Sequence, residues 1–240
     1  MGRVSRRELL AAAAVASAGI ALGVRGAGAV PKESGLASEG LLAGQAGFQP
    51  RTAMPLPYAE LPGFVSAVQL AAHHAEYVRL VAALKAAEDA LASLADDAEP
   101  ARYASLRRAQ VSAANAVLLH EFYFRNLAPH AAAPPRYIEG HVREHMGSVE
   151  RWQADFTRAA LAAQRWAVLV YDPYDDRWHD AIMNGDDDGV WLGANPLVVC
   201  DVSEHAYAHD YAHREEYVAK FFQHLDWEEV ARRYKRVDRM

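Results

Sequence analysis

The sequence has a single cysteine, Cys200, among its 240 residues. A disulfide needs two cysteines, so no bridge can form within the chain. Positive charge is also scarce, because 31 acidic residues outweigh 25 lysines and arginines and leave a formal net charge of −6. Nucleic acids and anionic membrane surfaces attract basic patches, so neither is expected as a partner of this protein.

Long hydrophobic runs are absent too, whereas a membrane-spanning helix needs about 20 strongly apolar residues in succession. The most apolar stretch, residues 11–24, is mostly alanine; it follows Arg6-Arg7 and precedes the small-residue segment Ala27-Gly28-Ala29. Paired arginines, a short apolar region and a small-residue cleavage site are typical of a twin-arginine export signal. The sequence therefore predicts a signal peptide over residues 1–29, a mature chain without a membrane span, and a periplasmic or secreted location. Retention of the segment as an anchor is the alternative.

Beyond the signal, 52% hydrophobic and 23% charged residues indicate a chain that can bury a core. Residues 30–60 are rich in glycine, proline and alanine without a period, so an extended leader or arm is expected there. No internal repeat is evident.

Two long helices are predicted next, over residues 64–94 and 101–127, because apolar side chains recur at spacings of three and four. The segment from Asp96 to Pro100 separates them and supplies both a stop and a start signal. Two helices joined by a short turn form an antiparallel hairpin, which we assign to a subdomain over residues 61–133. The spaced side chains are Leu70, His73, Tyr77, Leu80, Val81, Leu84 and Leu91 in the first helix, and Leu106, Ala113, Val117, His120, Phe124 and Leu127 in the second.

After Pro134-Pro135 the pattern changes to that of an α/β subdomain, residues 134–240. One helix is predicted over residues 137–163 and another over residues 204–224. Three short β-rich runs lie between them at hairpin spacing, at residues 166–171, 178–183 and 196–201. The expected fold class is α+β, with an N-terminal antiparallel α-hairpin followed by an α/β subdomain that contains a small three-stranded antiparallel sheet.

Four residues stand out as candidate metal ligands. His73 and His120 lie within the apolar stripes of the two hairpin helices, and Asp201 ends the last strand four residues before His205. Imidazoles with one carboxylate suit iron, manganese or zinc. The alternatives are core histidines with ordinary hydrogen bonds and an aspartate that caps a helix. A row of histidines with four-residue spacing is formed by His205, His209 and His213. It could be a second metal site, but the simpler interpretation is that His205 faces the interior while the other two lie near the surface or a dimer contact.

Four segments resemble the iron/manganese superoxide dismutase family, in the order that the family has them. They are Leu119-His120-Glu121-Phe122-Tyr123-Phe124-Arg125-Asn126-Leu127-Ala128-Pro129, Gly147-Ser148-Val149-Glu150-Arg151-Trp152-Gln153-Ala154-Asp155-Phe156, Trp166 with Leu169, and Asp201-Val202-Ser203-Glu204-His205-Ala206-Tyr207. The resemblance extends from about residue 61 to residue 234, nearly all of the predicted mature chain.

The resemblance implies a metal-dependent superoxide dismutase with one iron or manganese ion per subunit and superoxide as its substrate. Carried over by motif, the second, third and fourth ligands are His120, Asp201 and His205. For the first ligand we prefer His73 to Gln69, while His74 is a minor alternative. An exported metal-binding or interaction protein of the same fold, with little or no dismutase turnover, is the alternative function.

The resemblance also implies residues around the ion and at a subunit contact. Tyr77, His74 and Trp166 are expected near the metal, and Asn184 is a candidate substitute for the family's glutamine beside the ion. A homodimer is expected in which Glu204 of one subunit bonds His205 of the partner subunit. The chain departs from the family pattern at Ser203, where the family commonly has a tryptophan, and at Ala116, where the iron-type members have a glutamine. These departures make the proton relay the least orthodox part of the predicted site.

Replacing both Arg6 and Arg7 by lysine is expected to leave an uncleaved precursor in the cytoplasm, because twin-arginine export depends on the arginine pair. Cell fractionation with N-terminal sequencing measures this outcome, and Arg3→Lys is the matched control. An unchanged mature chain outside the cytoplasm, beginning near Val30, would contradict the assignment.

Overall fold

The computed structural model describes residues 51–237. The predicted signal peptide and residues 30–50 of the predicted arm lie outside the described residues. The described end of the arm, residues 51–60, has no regular helix or strand. In this part of the chain no helix combines the length and the apolar character that crossing a membrane requires.

The helical hairpin consists of α1 (Ala67–Ala92) and α2 (Pro100–Arg125), close to the two predicted helices. Ser66 caps α1, since its hydroxyl accepts a hydrogen bond from the backbone N–H of Gln69 at 3.1 Å. Pro100 occupies the first turn of α2, where its missing N–H costs no helical hydrogen bond. Local capping thus sets where both helices begin.

The helix predicted over residues 137–163 is divided into two, α3 (Arg136–Met146) and α4 (Val149–Ala162). Gly147 ends α3 with a φ of +92°, a conformation that favours glycine. Ser148 then caps α4 by accepting a hydrogen bond from the backbone N–H of Arg151 at 3.1 Å. The single-helix prediction is wrong here because a glycine stop and a serine start are adjacent in the chain.

The predicted three-stranded antiparallel sheet is confirmed. It contains β1 (Trp166–Asp172), β2 (Arg177–Met183) and β3 (Asn195–Asp201), with β1 in the centre and antiparallel to both neighbours. Every residue of β1 is buried, as expected for a central strand covered on both faces. Trp166 is the register partner of Asp201, so the sheet brings a large aromatic ring beside the last residue of β3.

The prediction of one continuous helix over residues 204–224 is wrong, because the chain forms three shorter helical segments there. The backbone N–H of His209 donates to the side chain of Gln69 at 2.9 Å, and the hydroxyl of Tyr211 donates to the carbonyl of Phe64. These contacts, with α1 and with the segment just before it, accompany a break in the helix at residues 208–213, so His205, His209 and His213 do not share one helical face. The segments are α5 (Glu204–Tyr207), α6 (Arg214–Phe221) and a 3₁₀ turn (Phe222–His224).

A further helix, α7 (Trp227–Val237), was not predicted from the sequence. Asp226 begins it by accepting hydrogen bonds from the backbone N–H groups of Glu228 and Glu229 at 2.9 and 3.2 Å. Val230 and Tyr234 are four residues apart and both buried, so the capping aspartate and the apolar spacing were readable signals.

Asn126 joins the hairpin to the sheet at the end of α2. Its side chain is fully buried; its carbonyl oxygen accepts the backbone N–H of Val199 at 2.8 Å, and its amide nitrogen donates to the carbonyl of Tyr123 at 3.1 Å. Arg233 of α7 is also buried and donates to the carbonyls of Leu197 and Phe122 at 2.9 and 2.8 Å. Polar contacts therefore tie α2, β3 and α7 together beneath the apolar core.

Asn126→Ala is expected to lower the free energy of unfolding by about 1–3 kcal/mol, because the buried backbone N–H of Val199 loses its acceptor. Chemical denaturation measures the change. The matched control is Asn195→Ala, whose exposed amide contacts only a nearby turn carbonyl, that of Gly193. Equal stability of the Asn126 and Asn195 variants would contradict the role assigned to Asn126.

Candidate metal centre

Four side chains from separate elements converge between the hairpin and the sheet: His73 of α1, His120 of α2, Asp201 at the end of β3, and His205 of α5. One potential ligand atom from each lies within 4.8 Å of all the others. The structure thus brings together the four residues that the sequence singled out as candidate ligands.

One carboxylate oxygen lies at the centre of this group. Asp201 Oδ2 is 2.9 Å from His73 Nε2, 3.0 Å from His205 Nε2 and 3.7 Å from His120 Nε2. The second oxygen, Oδ1, accepts the backbone N–H of Ser203 at 2.9 Å, which orients the carboxylate. Three imidazoles and a carboxylate therefore face one small volume.

Burial and mutual contact set the protonation of these groups. Burial raises the pKa of Asp201, but its hydrogen bonds with His205 and His73 outweigh that effect and hold the pKa well below its ordinary value. Burial lowers the pKa of His120 to about 3 and also lowers the pKa of His73. At neutral pH the interior therefore holds an ionised carboxylate and two neutral imidazoles, the protonation states that bind metal ions.

His205 differs from the other two histidines. Burial is the largest single influence and lowers its pKa, but the hydrogen bond with Asp201 and the negative charge of that carboxylate together outweigh it, so the pKa lies above its ordinary value. Its side chain is 30% exposed, against 2% for His73 and none for His120. Among the four candidate ligands, His205 is therefore the one that links the site to solvent.

The unpaired nitrogen of His120 tests whether the site fits a metal ion. His120 Nδ1 lies 2.7 Å from the carbonyl of Ala116, and a carbonyl only accepts, so Nδ1 carries the proton. Nε2 is then a bare lone pair, and it is buried without a hydrogen-bond partner. A lone pair in this position is costly unless something fills the coordination site. A divalent or trivalent ion fits, since imidazole and carboxylate suit iron, manganese or zinc.

Aromatic rings enclose the ligands. Trp166 packs edge-on against His120 with ring centroids 4.9 Å apart, and Tyr123 and Phe124 lie 4.9 and 5.0 Å from His73. All three rings are fully buried. They keep water away from the imidazoles and hold the rings of His73 and His120 in one orientation.

Gln69, the alternative first ligand, is occupied elsewhere. Its amide nitrogen donates to the carbonyl of His205 at 2.6 Å, and its amide oxygen accepts the backbone N–H of His209 at 2.9 Å. It is buried and supports the backbone that carries His205. The sequence analysis missed this supporting role, because it depends on a turn 136 residues further along the chain.

His74 and Tyr77 bind the arm rather than the cluster. His74 Nε2 lies 2.8 Å from the carbonyl of Met54, and the hydroxyl of Tyr77 accepts the backbone N–H of Met54 at 2.8 Å. The same hydroxyl donates to Glu121 at 2.9 Å, and Glu121 pairs with Arg51 at 2.8 Å. The hydroxyl of Tyr77 thus contacts the arm and Glu121, whereas its ring lies near the ligands, with its centroid 6.2 Å from that of His120.

Asp186, rather than Asn184, reaches the site from the turn after β2. Asn184 is exposed and accepts the backbone N–H of Gln164 at 3.2 Å. Asp186 is buried; it accepts the indole N–H of Trp166 at 2.9 Å and pairs with Arg165 at 2.9 Å. Burial raises the pKa of Asp186, although its contacts with Trp166 and Arg165 oppose the rise. The resemblance placed the position of the family's glutamine near residues 184–186, so this aspartate lay at the end of that range while Asn184 was taken as the candidate.

Residues 134–233 match a family model described as the C-terminal domain of iron/manganese superoxide dismutases.

The chain is similar over most of its length to dismutases of haloarchaea. It is 32% identical over 185 residues to manganese superoxide dismutase 2 of Haloferax volcanii, and the aligned region covers 76% of this chain and 93% of that relative. It is 30% identical over 186 residues to the manganese superoxide dismutase of Haloarcula marismortui, with 76% and 92% covered. An iron superoxide dismutase of Cupriavidus metallidurans is 33% identical over 133 residues, or 54% of this chain and 66% of that relative.

Asp186→Ala is expected to lower the free energy of unfolding by about 1–3 kcal/mol, because it leaves the buried indole N–H of Trp166 unpaired. Asp186→Asn keeps an acceptor and should lose less. Thermal and chemical denaturation measure both variants, and the exposed neighbour Asp187, changed to alanine, is the control. A loss in the Asp187 variant as large as that in the Asp186→Ala variant would contradict the contact.

Proposed function

This chain belongs to the iron/manganese superoxide dismutase family, and on that premise we propose that His73, His120, Asp201 and His205 hold the iron or manganese ion with which it dismutes superoxide. Two superoxide anions and two protons then yield one dioxygen and one hydrogen peroxide. The observation that carries the ligand assignment is the buried Nε2 of His120, a lone pair that lacks a hydrogen-bond partner and faces Asp201.

The bound ion supplies one-electron chemistry, and the chain supplies the coordination and surroundings in which that chemistry runs. Asp201 contributes negative charge where the ion lies. The proton on His120 Nδ1, held by the carbonyl of Ala116, keeps Nε2 free as a ligand. Trp166 closes one side, and its indole N–H is held by the carboxylate of Asp186. Each of these groups is held by a hydrogen bond within the chain, which favours tight and selective binding.

Access for a small anion is expected on the side of His205. Its side chain is 30% exposed, while Asp201 is completely buried. Arg165 lies near this opening, since its carbonyl accepts the backbone N–H of Val202, the residue after Asp201, at 2.8 Å, and its own side chain is 31% exposed. Its guanidinium pairs with the carboxylate of Asp186 at 2.9 Å, so the charges of these two residues offset each other beside the entrance.

We further propose that the protein acts as a homodimer in which Glu204 accepts a hydrogen bond from His205 of the partner subunit. Glu204 is exposed on α5, next to the ligand, and this position supports such a contact. A carboxylate that accepts a ligand's second N–H orients the ring and raises its basicity. Subunit contact and metal binding would then reinforce each other.

Export through the twin-arginine route, with a periplasmic or secreted mature chain, is also part of the proposal. It rests on the sequence of residues 1–29. That route carries folded proteins, which suits an enzyme that acquires its ion inside the cell.

His73→Ala is expected to empty the site or lower its occupancy severely, because one of four protein ligands is lost. Gln69→Ala should keep its ion but lose stability, since the carbonyl of His205 loses its donor and the N–H of His209 its acceptor. His74→Ala should keep its ion, because that side chain contacts the arm.

Elemental analysis of the three purified variants and the wild type, with stopped-flow measurement of superoxide decay, separates these cases. Full metal occupancy in His73→Ala, with loss in Gln69→Ala, would show that the ligand assignment in α1 is wrong. A wild-type protein that contains the metal but does not accelerate superoxide decay would contradict the dismutase function.

Glu204→Ala is expected to weaken the dimer and its hold on the ion, with a loss of about 1–3 kcal/mol for an interfacial ligand N–H left unpaired. Sedimentation at several protein concentrations measures association, and metal content is read on the same samples. Glu215→Ala, an exposed glutamate in the first turn of α6, is the control. A wild-type chain that sediments as a monomer while fully loaded would rule out this arrangement.

A further inference from the structure

A second group of potential ligands lies on α3, away from the centre described above. His141, Glu144 and His145 occupy helical positions i, i+3 and i+4, so their side chains share one face. One ring nitrogen from each histidine and one carboxylate oxygen of Glu144 lie within 4.8 Å of one another. Both histidines are half-buried, and the glutamate is exposed. The iron or manganese site uses none of these residues.

Aromatic side chains hold the two imidazoles in place. The rings of His141 and His145 are nearly parallel, with an interplanar angle of 9° and centroids 5.8 Å apart. Both stack on Trp178 of β2, at 6.0 and 5.7 Å, and Tyr234 of α7 packs edge-on against His141 at 4.5 Å. Two rings that are already ordered lose little further entropy when they bind a common ligand.

One ring nitrogen of this pair has no hydrogen-bond partner. His145 Nδ1 is buried and has no hydrogen-bond partner. His141 Nδ1 lies 3.4 Å from the hydroxyl of Tyr234, a contact that orients the ring. Burial lowers the pKa of His145, so the imidazole is neutral and able to coordinate at neutral pH. A purely structural pair stacked on a tryptophan would need neither the adjacent carboxylate nor the unpaired nitrogen.

The surroundings allow a cation to approach. A cavity of about 460 Å³ opens beside Glu144 and His145. Three arginines line it; Arg143 pairs with Glu139 at 2.7 Å and Arg158 with Asp155 at 2.5 Å, and Arg151 is the third. The carboxylate of Glu144 supplies the negative charge that lies within 4.8 Å of both imidazoles.

We propose that His141, Glu144 and His145 form a second metal site that binds a divalent transition-metal ion of the zinc class. Two imidazoles and one carboxylate are the donor set that zinc accepts in sites with an open position. Three ligands at a half-exposed surface leave room for water, so the ion exchanges with the medium. This site does not depend on the dismutase function.

The test uses the full chain already loaded with iron or manganese, dialysed against Zn²⁺. Bound zinc and retained iron or manganese are measured together by elemental analysis. The wild type is expected to take up one zinc per chain without losing its original ion. Removal of an outer-shell partner alone costs about 10–100-fold in metal affinity, so His141→Ala with His145→Ala should weaken zinc binding at least that much.

Glu144→Gln provides a second variant, because its exposed side chain can change without disturbing the core, and it should also bind zinc more weakly. His213→Ala, an exposed histidine outside the cluster, is the control and should bind zinc as the wild type does. Zinc should raise the melting temperature of the wild type and of the control, but not that of the double variant. Undiminished zinc binding in the double variant, or zinc uptake only in exchange for iron or manganese, would overturn the proposal.

Discussion

The burial of the Asp201 carboxylate is the constraint on which the rest of the structure depends. A carboxylate with no exposed surface is strongly unfavourable unless it is paired and hydrogen-bonded. His73, His205 and the backbone N–H of Ser203 supply those partners. These contacts draw α1, α5 and the end of β3 to one point, while His120 adds α2 with its nitrogen left for an ion. The geometry of the metal centre is thus also what joins the hairpin to the sheet.

The register of the sheet places further side chains around the same site. Because Trp166 pairs with Asp201 across β1 and β3, the first residue of the central strand covers the ligands. Its indole then needs an acceptor in the interior, and Asp186 provides one from the turn after β2. An acidic group beside the site is unusual for a reaction on an anion, but Arg165 pairs with it and offsets its charge. The electrostatics of the entrance therefore follow from strand register and one turn.

The histidines of this chain show how helical position and packing divide their roles. His73 and His120 lie on buried stripes of long helices and are held by surrounding aromatic rings. His141 and His145 lie on the shorter helix α3 and stack on Trp178. Both are half-buried and lie close to the carboxylate of Glu144. The two clusters share no residue, and they differ in burial, which is why a tightly held ion suits the first and an exchangeable ion the second.

The sequence by itself determined the elements whose signals are local. Spacing of three and four predicted α1 and α2, β-rich runs predicted all three strands, and the motifs around His120 and Asp201 predicted which side chains meet. Helix ends were predicted less well than helix interiors, although Gly147 is a local stop signal for α3 and Asp226 a local start signal for α7.

Other features were decided only by tertiary structure. The split of residues 204–224 accompanies hydrogen bonds with Gln69 and Phe64, more than a hundred residues earlier in the chain, and no local pattern encodes such contacts. The choice of Asp186 over Asn184 depends on which polar residue of a turn packs against Trp166. Which of His73 and Gln69 faces Asp201 likewise depends on how α1 is rotated about its axis when it packs against α2 and α5. A helix stripe wide enough to bury both residues leaves that rotation open, and the buried charge of Asp201 selects it.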